Sequence, residues 1–173
     1  MRQETRAAHD ALDAGLGAFA IGGDGDFGAF LRVQYAARLP IENWLAVQDS
    51  GAITPPPQTH LIAADLAELN LAAPPDFGAF PLQHSGALTG VAWTLAGSSL
   101  GNRAMLAQRR KLGLNGADRF LSDDAMPQFW KALRPTLDTI ASPEAAHHAV
   151  TGANAVFALF RLAANHYTIK EVA

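Results

Sequence analysis

The sequence predicts an all-α protein, folded as a single multi-helix bundle domain over residues 1–173. Apolar residues recur every three or four positions along most of the chain, which is the spacing of a helix face packed on a core. We find no alternation of apolar and polar residues typical of a half-buried strand, and no strand–helix–strand unit. Of the 173 residues, 49% are hydrophobic, which is enough for one sizeable core.

Helix start and stop signals divide the first half of the chain into three helices. The first covers about residues 2–17 and is broken by the glycine-rich stretch 22–25. Asp26 is predicted to cap a second helix that reaches at least Trp44 and kinks at Pro40. A stiff Pro-rich loop at 54–57 precedes a shorter helix that begins at Thr59 and extends to about Leu69.

Three further helices are predicted in the second half. A long glycine-bearing helix covers about 85–112, and a turn-rich stretch at 113–124 separates it from a helix over about 126–140. Ser142, Pro143 and Glu144 combine a capping hydroxyl, a proline in the first turn and an acid at the positive end of the helix dipole. They predict that the last helix begins there and reaches at least His166.

Composition excludes several classes of function. The formal net charge of −3 and the absence of a basic stripe argue against nucleic-acid binding. The chain has no cysteine, which excludes disulfides, thiolate ligands and cysteine nucleophiles and fits a reducing cytoplasm. Residues 1–6 lack the apolar core of a signal peptide.

One uncharged run, 77–102, has the length of a membrane span but not its character. Pro81, Gln83, His84 and four later glycines interrupt it, whereas a span needs a continuous apolar stretch. We therefore predict a buried central helix and no membrane association.

Two glycines in this run, Gly97 and Gly101, are the most informative feature of the sequence. They lie four residues apart, on one face of a predicted helix, and each costs roughly 1 kcal/mol of helix stability relative to alanine. One interpretation is a close crossing with another helix. The other is a bare backbone against which a flat ligand lies, with the hydroxyls of Ser98 and Ser99 and the amide of Asn102 beside it. The two hydroxyls could instead bond back to helix carbonyls.

A second candidate group lies at the N-terminus. Arg2, Arg6 and His9 are spaced so that they project from one side of the first helix. Cations are unfavourable at the start of a helix, so a solvated face is the plain alternative to a functional one. A neutral imidazole is a good axial ligand for haem iron, and two guanidinium groups could reach its two propionates. Together with the glycine pair, the group suggests the two sides of a haem slot.

The chain resembles the biliverdin-producing haem oxygenases, in the bacterial branch associated with phytochromes. Three segments carry the resemblance: Thr5–Asp13, the stretch from Tyr35 to Glu42, and Trp93–Arg103. The helix order agrees along nearly the whole chain, although each motif is short.

The resemblance implies a specific assignment of roles. His9 matches the family's proximal iron ligand, Arg2 and Arg6 match basic positions that face the propionates, and Gly97 and Gly101 match glycines of the distal helix. Haem would be both cofactor and substrate, cleaved to biliverdin, CO and ferrous iron with O2 and an external electron donor such as ferredoxin or a reductase. A bacteriophytochrome would be the recipient of the product.

The sequence departs from the family pattern at the glycine-bearing segment. Asn102 stands where the family usually has another glycine, and Ala96 where many bacterial members have glutamate. Ser98 stands where the mammalian type has aspartate, and Trp93 where tyrosine is usual. An alternative therefore stays open: a catalytically impaired relative that binds haem or another tetrapyrrole, or that serves only as a protein-interaction module.

Other metal sites have weaker support. Glu144 and His147 form half of a carboxylate di-iron signature, but no second copy exists. The six histidines include no pair three or four residues apart, so no helical zinc site is predicted. His147 and His148 are predicted to be solvated.

Overall fold

The computed structural model describes residues 5–6, 9, 23–48, 53–75, 77–82, 85–138 and 142–168, and all the regular secondary structure in them is helical. The elements between residues 23 and 168 are α1 (Asp24–Ala46), α2 (Thr59–Glu68), α3 (Leu88–Lys111, preceded by a 3-10 turn at Ser85–Ala87), α4 (Arg119–Ser122), α5 (Ala125–Asp138) and α6 (Pro143–Thr168). Residues 5, 6 and 9 are also helical. No strand occurs in these ranges, which confirms the all-α prediction.

The start of α1 differs from the sequence prediction. Gly23 is the N-cap residue, and Asp26 lies inside the first turn rather than at the cap. An acid in the first turn still interacts favourably with the positive end of the helix dipole, so the helix begins earlier without losing that contribution. Pro40 lies inside the helix and does not end it. The prediction for 2–17 concerns mostly residues outside the described ranges.

Carboxylates and a hydroxyl fix the starts of the other helices. Glu42 of α1 accepts hydrogen bonds from the backbone N–H groups of Gln58 and Thr59, at 2.8 and 3.2 Å, where α2 begins. The Ser142 hydroxyl accepts a bond of 3.1 Å from the Ala145 N–H, which confirms the predicted start of α6. The turn-rich stretch 113–124 contains the short helix α4, which the sequence prediction did not include.

The core consists of three apolar clusters, and α3 contributes residues to each of them. The first joins one face of α1 to α3 and α6, around Ile41, Leu95 and Phe160. The second packs α2 and α4 against the first half of α1 and against Leu106. The third joins Ala92 and Ala96 of α3 to α5. α3 is therefore central, as its long uncharged stretch predicted. None of the helices in the described residues has the length and hydropathy needed to cross a membrane.

Two glycines allow α3 and α6 to approach closely. A Cβ added at Gly90 would lie 1.7 Å from the Ala149 carbonyl oxygen, and one at Gly152 would lie 2.2 Å from the Ala87 carbonyl oxygen. Both distances are far inside van der Waals contact, and the opposing atoms belong to backbone. This crossing needs bare backbone at Gly90 and Gly152.

Candidate haem-binding surface

Gly90, Gly97 and Gly101 lie along one stripe of α3. Gly97 follows Gly90 by two turns and Gly101 follows by one more turn, so all three project to nearly the same side of the helix. At Gly90 this side is covered by the backbone of α6.

The stripe is open at Gly97 and Gly101. Apart from its chain neighbours and the backbone of α3 itself, a Cβ added at either position would meet no atom of the described residues within 4 Å. Gly101 is exposed and Gly97 partly so, and the neighbouring Leu100 is 59% exposed. Within the described ranges, the close helix crossing therefore occurs at Gly90. No other described element packs on the backbone at Gly97 and Gly101.

The two serines beside Gly97 have different surroundings. Each hydroxyl donates to a carbonyl of its own helix, Ser98 to Leu95 at 2.7 Å and Ser99 to Ala96 at 2.6 Å. Ser99 is buried, whereas Ser98 is exposed and also accepts a hydrogen bond of 2.9 Å from Nη2 of Arg38. Only Ser98 borders the open part of the stripe.

Asn102 and Ala96 are buried side chains of α3. Asn102 is 6% exposed and follows Gly101 by one residue, which turns it about 100° around the helix axis. Ala96 is fully buried against Met126 and Leu133 of α5. Asn102 lies one turn beyond Ser98 and so projects to the same side of α3 as that exposed hydroxyl, although Asn102 itself is buried.

The N-terminal group is partly described. Arg6 and His9 are helical and exposed, whereas Thr5 is buried. The His9 ring lies edge-on to the ring of Phe157 of α6, with the two centroids 6.0 Å apart. Arg2 lies outside the described residues.

Arg38 of α1 was not predicted as a site residue. It is 1% exposed, and its guanidinium carbon lies 5.1 Å from the Phe120 ring centroid and 5.7 Å from that of Phe160. A sequence signal existed, because Leu31, Arg38 and Ile41 share the helical spacing of the core-facing side of α1. A charged residue is rarely buried at such a position without compensating interactions, since removing its charge from water costs free energy.

Other metal chemistry has no site in the part of the chain that the structure describes. No group of three or more His, Asp or Glu side chains in it is placed to hold a metal ion. His147 is exposed and His148 half-buried.

Comparison with known proteins supports the fold rather than a sequence family. No family profile matches the sequence, and no curated protein does. Among solved structures, the haem oxygenase of Neisseria meningitidis, determined with NO and CO bound, is similar with a TM-score of 0.77. The match covers 96% of this chain and 88% of that chain at 20% sequence identity. The chain therefore has the fold of a haem oxygenase.

Proposed function

We propose that this protein binds haem between its N-terminal segment and the open stripe of α3, and cleaves it to biliverdin, CO and ferrous iron. The observation that carries the proposal is the contrast along α3. Backbone covers the stripe at Gly90, and no described atom covers it at Gly97 and Gly101. Helix stability alone would favour alanine at two such open positions, so their retention as glycine fits contact with a flat ligand.

The N-terminal residues would hold the group. His9 would bind the iron, and its ring packs edge-on against Phe157, a contact that would restrict its orientation. Arg6 is exposed and Arg2 precedes it by four positions in the sequence, and both are proposed to bind the propionates. When bound, haem supplies a redox-active iron that can activate O2, with electrons from an external donor such as ferredoxin or a reductase.

On the opposite side, the protein would exclude side chains and order water. Gly97 and Gly101 let the backbone approach the macrocycle. The Ser98 proton is held by the Leu95 carbonyl, so its Oγ can accept a further hydrogen bond from a water but is not set to donate one. Asn102, one turn beyond Ser98, is proposed to border the same side of the group, where its amide could donate or accept a hydrogen bond. A bacteriophytochrome as recipient of the product stays a prediction.

One observation favours the alternative of a binder with little or no turnover. α3 contains no Asp or Glu between Leu88 and Lys111, so the helix that borders the proposed site supplies no carboxyl group for proton transfer. Ala96, at the position of a glutamate in many bacterial haem oxygenases, is buried against α5. Binding and turnover are therefore separate claims with separate tests.

Adding haemin to the purified protein separates these claims. We expect a Soret band typical of histidine ligation, followed by bilin absorption when ascorbate or a ferredoxin system is added under air. A ligated Soret band that persists under turnover conditions would support the binder. No Soret shift at all would contradict haem binding and leave an interaction module.

The ligand assignment has its own test. We expect His9→Ala to abolish the histidine-ligated spectrum, and His60→Ala, which removes an exposed imidazole of α2, to leave it unchanged. Resonance Raman detection of the iron–histidine stretch in the ferrous protein is the measurement. A His9→Ala protein with an unchanged stretch would move the ligand elsewhere, His84 being the next candidate.

A further inference from the structure

Arg38 is a buried cation between three helices. It extends from α1 to a position between the rings of Phe120 in α4 and Phe160 in α6, and it is 1% exposed. Aromatic faces stabilise a guanidinium, but they do not neutralise its charge. The charge therefore needs a polar partner or a function.

The hydrogen bonds of Arg38 involve neutral groups. Nε donates to Oε1 of Gln34 at 3.3 Å, and Nη2 donates to Oγ of Ser98 at 2.9 Å. Nη1 is buried and has no hydrogen-bond partner among the described residues. The guanidinium thus reaches the border of the open glycine stripe with one nitrogen bonded there and another without a partner.

The nearest carboxylates are occupied elsewhere. Glu42 accepts from the N–H of Gln58 and, at 2.5 Å, from the hydroxyl of Thr59 at the start of α2. Asp123 accepts from Nε2 of Gln58 at 2.7 Å and from the N–H of Ala125 at 2.9 Å, at the start of α5. Both attract Arg38 through space. Neither hydrogen-bonds to it among the bonds of the described residues.

Arg38 stays charged at neutral pH despite this environment. Burial lowers its pKa to about 10, opposed by the charges of Glu42 and Asp123. A protonated guanidinium at hydrogen-bond distance from Ser98 places a positive charge directly beside that site, whereas the carboxyl oxygens of Glu42 and Asp123 accept hydrogen bonds at the starts of two other helices.

From this geometry we infer that Arg38 makes the surface beside Gly97 and Ser98 electropositive, so that it selects a ligand carrying or developing negative charge on that side. The charge acts through space, because Nη2 of Arg38 lies 2.9 Å from Oγ of Ser98, which is exposed beside Gly97. The identity of the ligand rests on the proposed haem function. The electrostatic claim does not, since it concerns only residues of this chain.

A single introduced thiol can measure this potential without haem. The protein has no cysteine, so Ser98→Cys creates a unique probe whose thiolate is stabilised by a nearby positive charge. Ala104→Cys is the matched control, because Ala104 is exposed on the same side of α3 as Gly97 and lies about one turn beyond Gly101. We expect the pH dependence of iodoacetamide alkylation to have its midpoint at a lower pH for Ser98→Cys than for Ala104→Cys.

Substituting Arg38 in each of the two cysteine variants then tests whether Arg38 is the positive charge that stabilises the thiolate. We expect Arg38→Met to slow alkylation of the Ser98→Cys thiol at pH 7 by about tenfold and to leave the Ala104→Cys thiol unchanged. Arg38→Lys should retain part of the effect, because it keeps the charge. If circular dichroism shows that Arg38→Met does not fold, the comparison of the two thiols in the protein that retains Arg38 still tests whether the surface beside Ser98 is electropositive. Equal midpoints, or a rate unaffected by Arg38→Met, would overturn the inference.

The haem-loaded protein gives a second readout. Carbon monoxide bound to ferrous haem is a probe of local field, and a positive charge beside it lowers the C–O stretching frequency. We expect this frequency to rise in Arg38→Met, and an unchanged frequency would contradict selection on that side of the ligand. If haem does not bind at all, the proposed function fails while the thiol measurement still judges the electrostatic claim.

Discussion

Replacing Gly97 with leucine is expected to abolish haemin binding, raising Kd at least about 100-fold, without destabilising the fold. The leucine side chain would occupy the space that the proposal gives to the macrocycle, since no described atom outside α3 lies within 4 Å of a Cβ at this position. Leucine is also a better helix former than glycine, by somewhat under 1 kcal/mol in general. Haemin titration followed by the Soret band, together with urea unfolding, measures both effects.

The control for this variant is Ala107→Leu. Ala107 is exposed on the same helix but projects to a different side, about 120° from Gly101. It adds a similar apolar side chain and should leave haemin affinity unchanged. Native affinity in Gly97→Leu would show that the ligand lies elsewhere, and a collapse of stability would show that the stripe is packed rather than open.

The opposite result is expected at Gly90, two turns earlier on the same stripe. A methyl group there would lie 1.7 Å from the Ala149 carbonyl oxygen and 2.9 Å from the Ala153 nitrogen, so α3 and α6 would have to separate. Because the opposing atoms are backbone, we expect Gly90→Ala to lower the free energy of unfolding by about 3–5 kcal/mol. Such a loss would lower Tm by about 10 °C or more in a chain of this length.

The same substitution at Gly97 serves as the matched control. Gly97→Ala adds one methyl group on the same helix face and should raise stability by up to about 1 kcal/mol. Thermal or urea unfolding of the two variants side by side therefore separates a crossing glycine from a surface glycine. Equal stability of Gly90→Ala and the native protein would refute the close crossing.

The sequence predicts the secondary-structure elements whose limits are determined by residues close together in the chain. The Ser142 cap and the loop at 54–57 each specify an element by nearby residues, and the structure confirms them. The helix predicted over about 85–112 is α3, which begins three residues later, after a 3-10 turn. The predicted N-cap, Asp26, was wrong by three residues, because the chain begins α1 directly after Gly23 without a side-chain cap.

The site could be predicted only in part, because the cover over a helix face depends on tertiary packing. The sequence singled out Gly97 and Gly101 but did not assign the close crossing to Gly90 and Gly152, since identical glycines give no sign of their neighbours. It also placed Asn102 beside the ligand, and this stays a prediction, because the structure shows only that the residue is buried one turn beyond Ser98. Arg38 was missed because its importance follows from contacts between α1 and α3 that are far apart in sequence.

A crystal structure of the protein soaked or co-crystallised with haemin tests the central claim most directly. We predict iron bound to the His9 imidazole, with the opposite face of the porphyrin against the backbone of Gly97 and Gly101. A porphyrin on another surface, or iron bound to a different histidine, would contradict the proposed site.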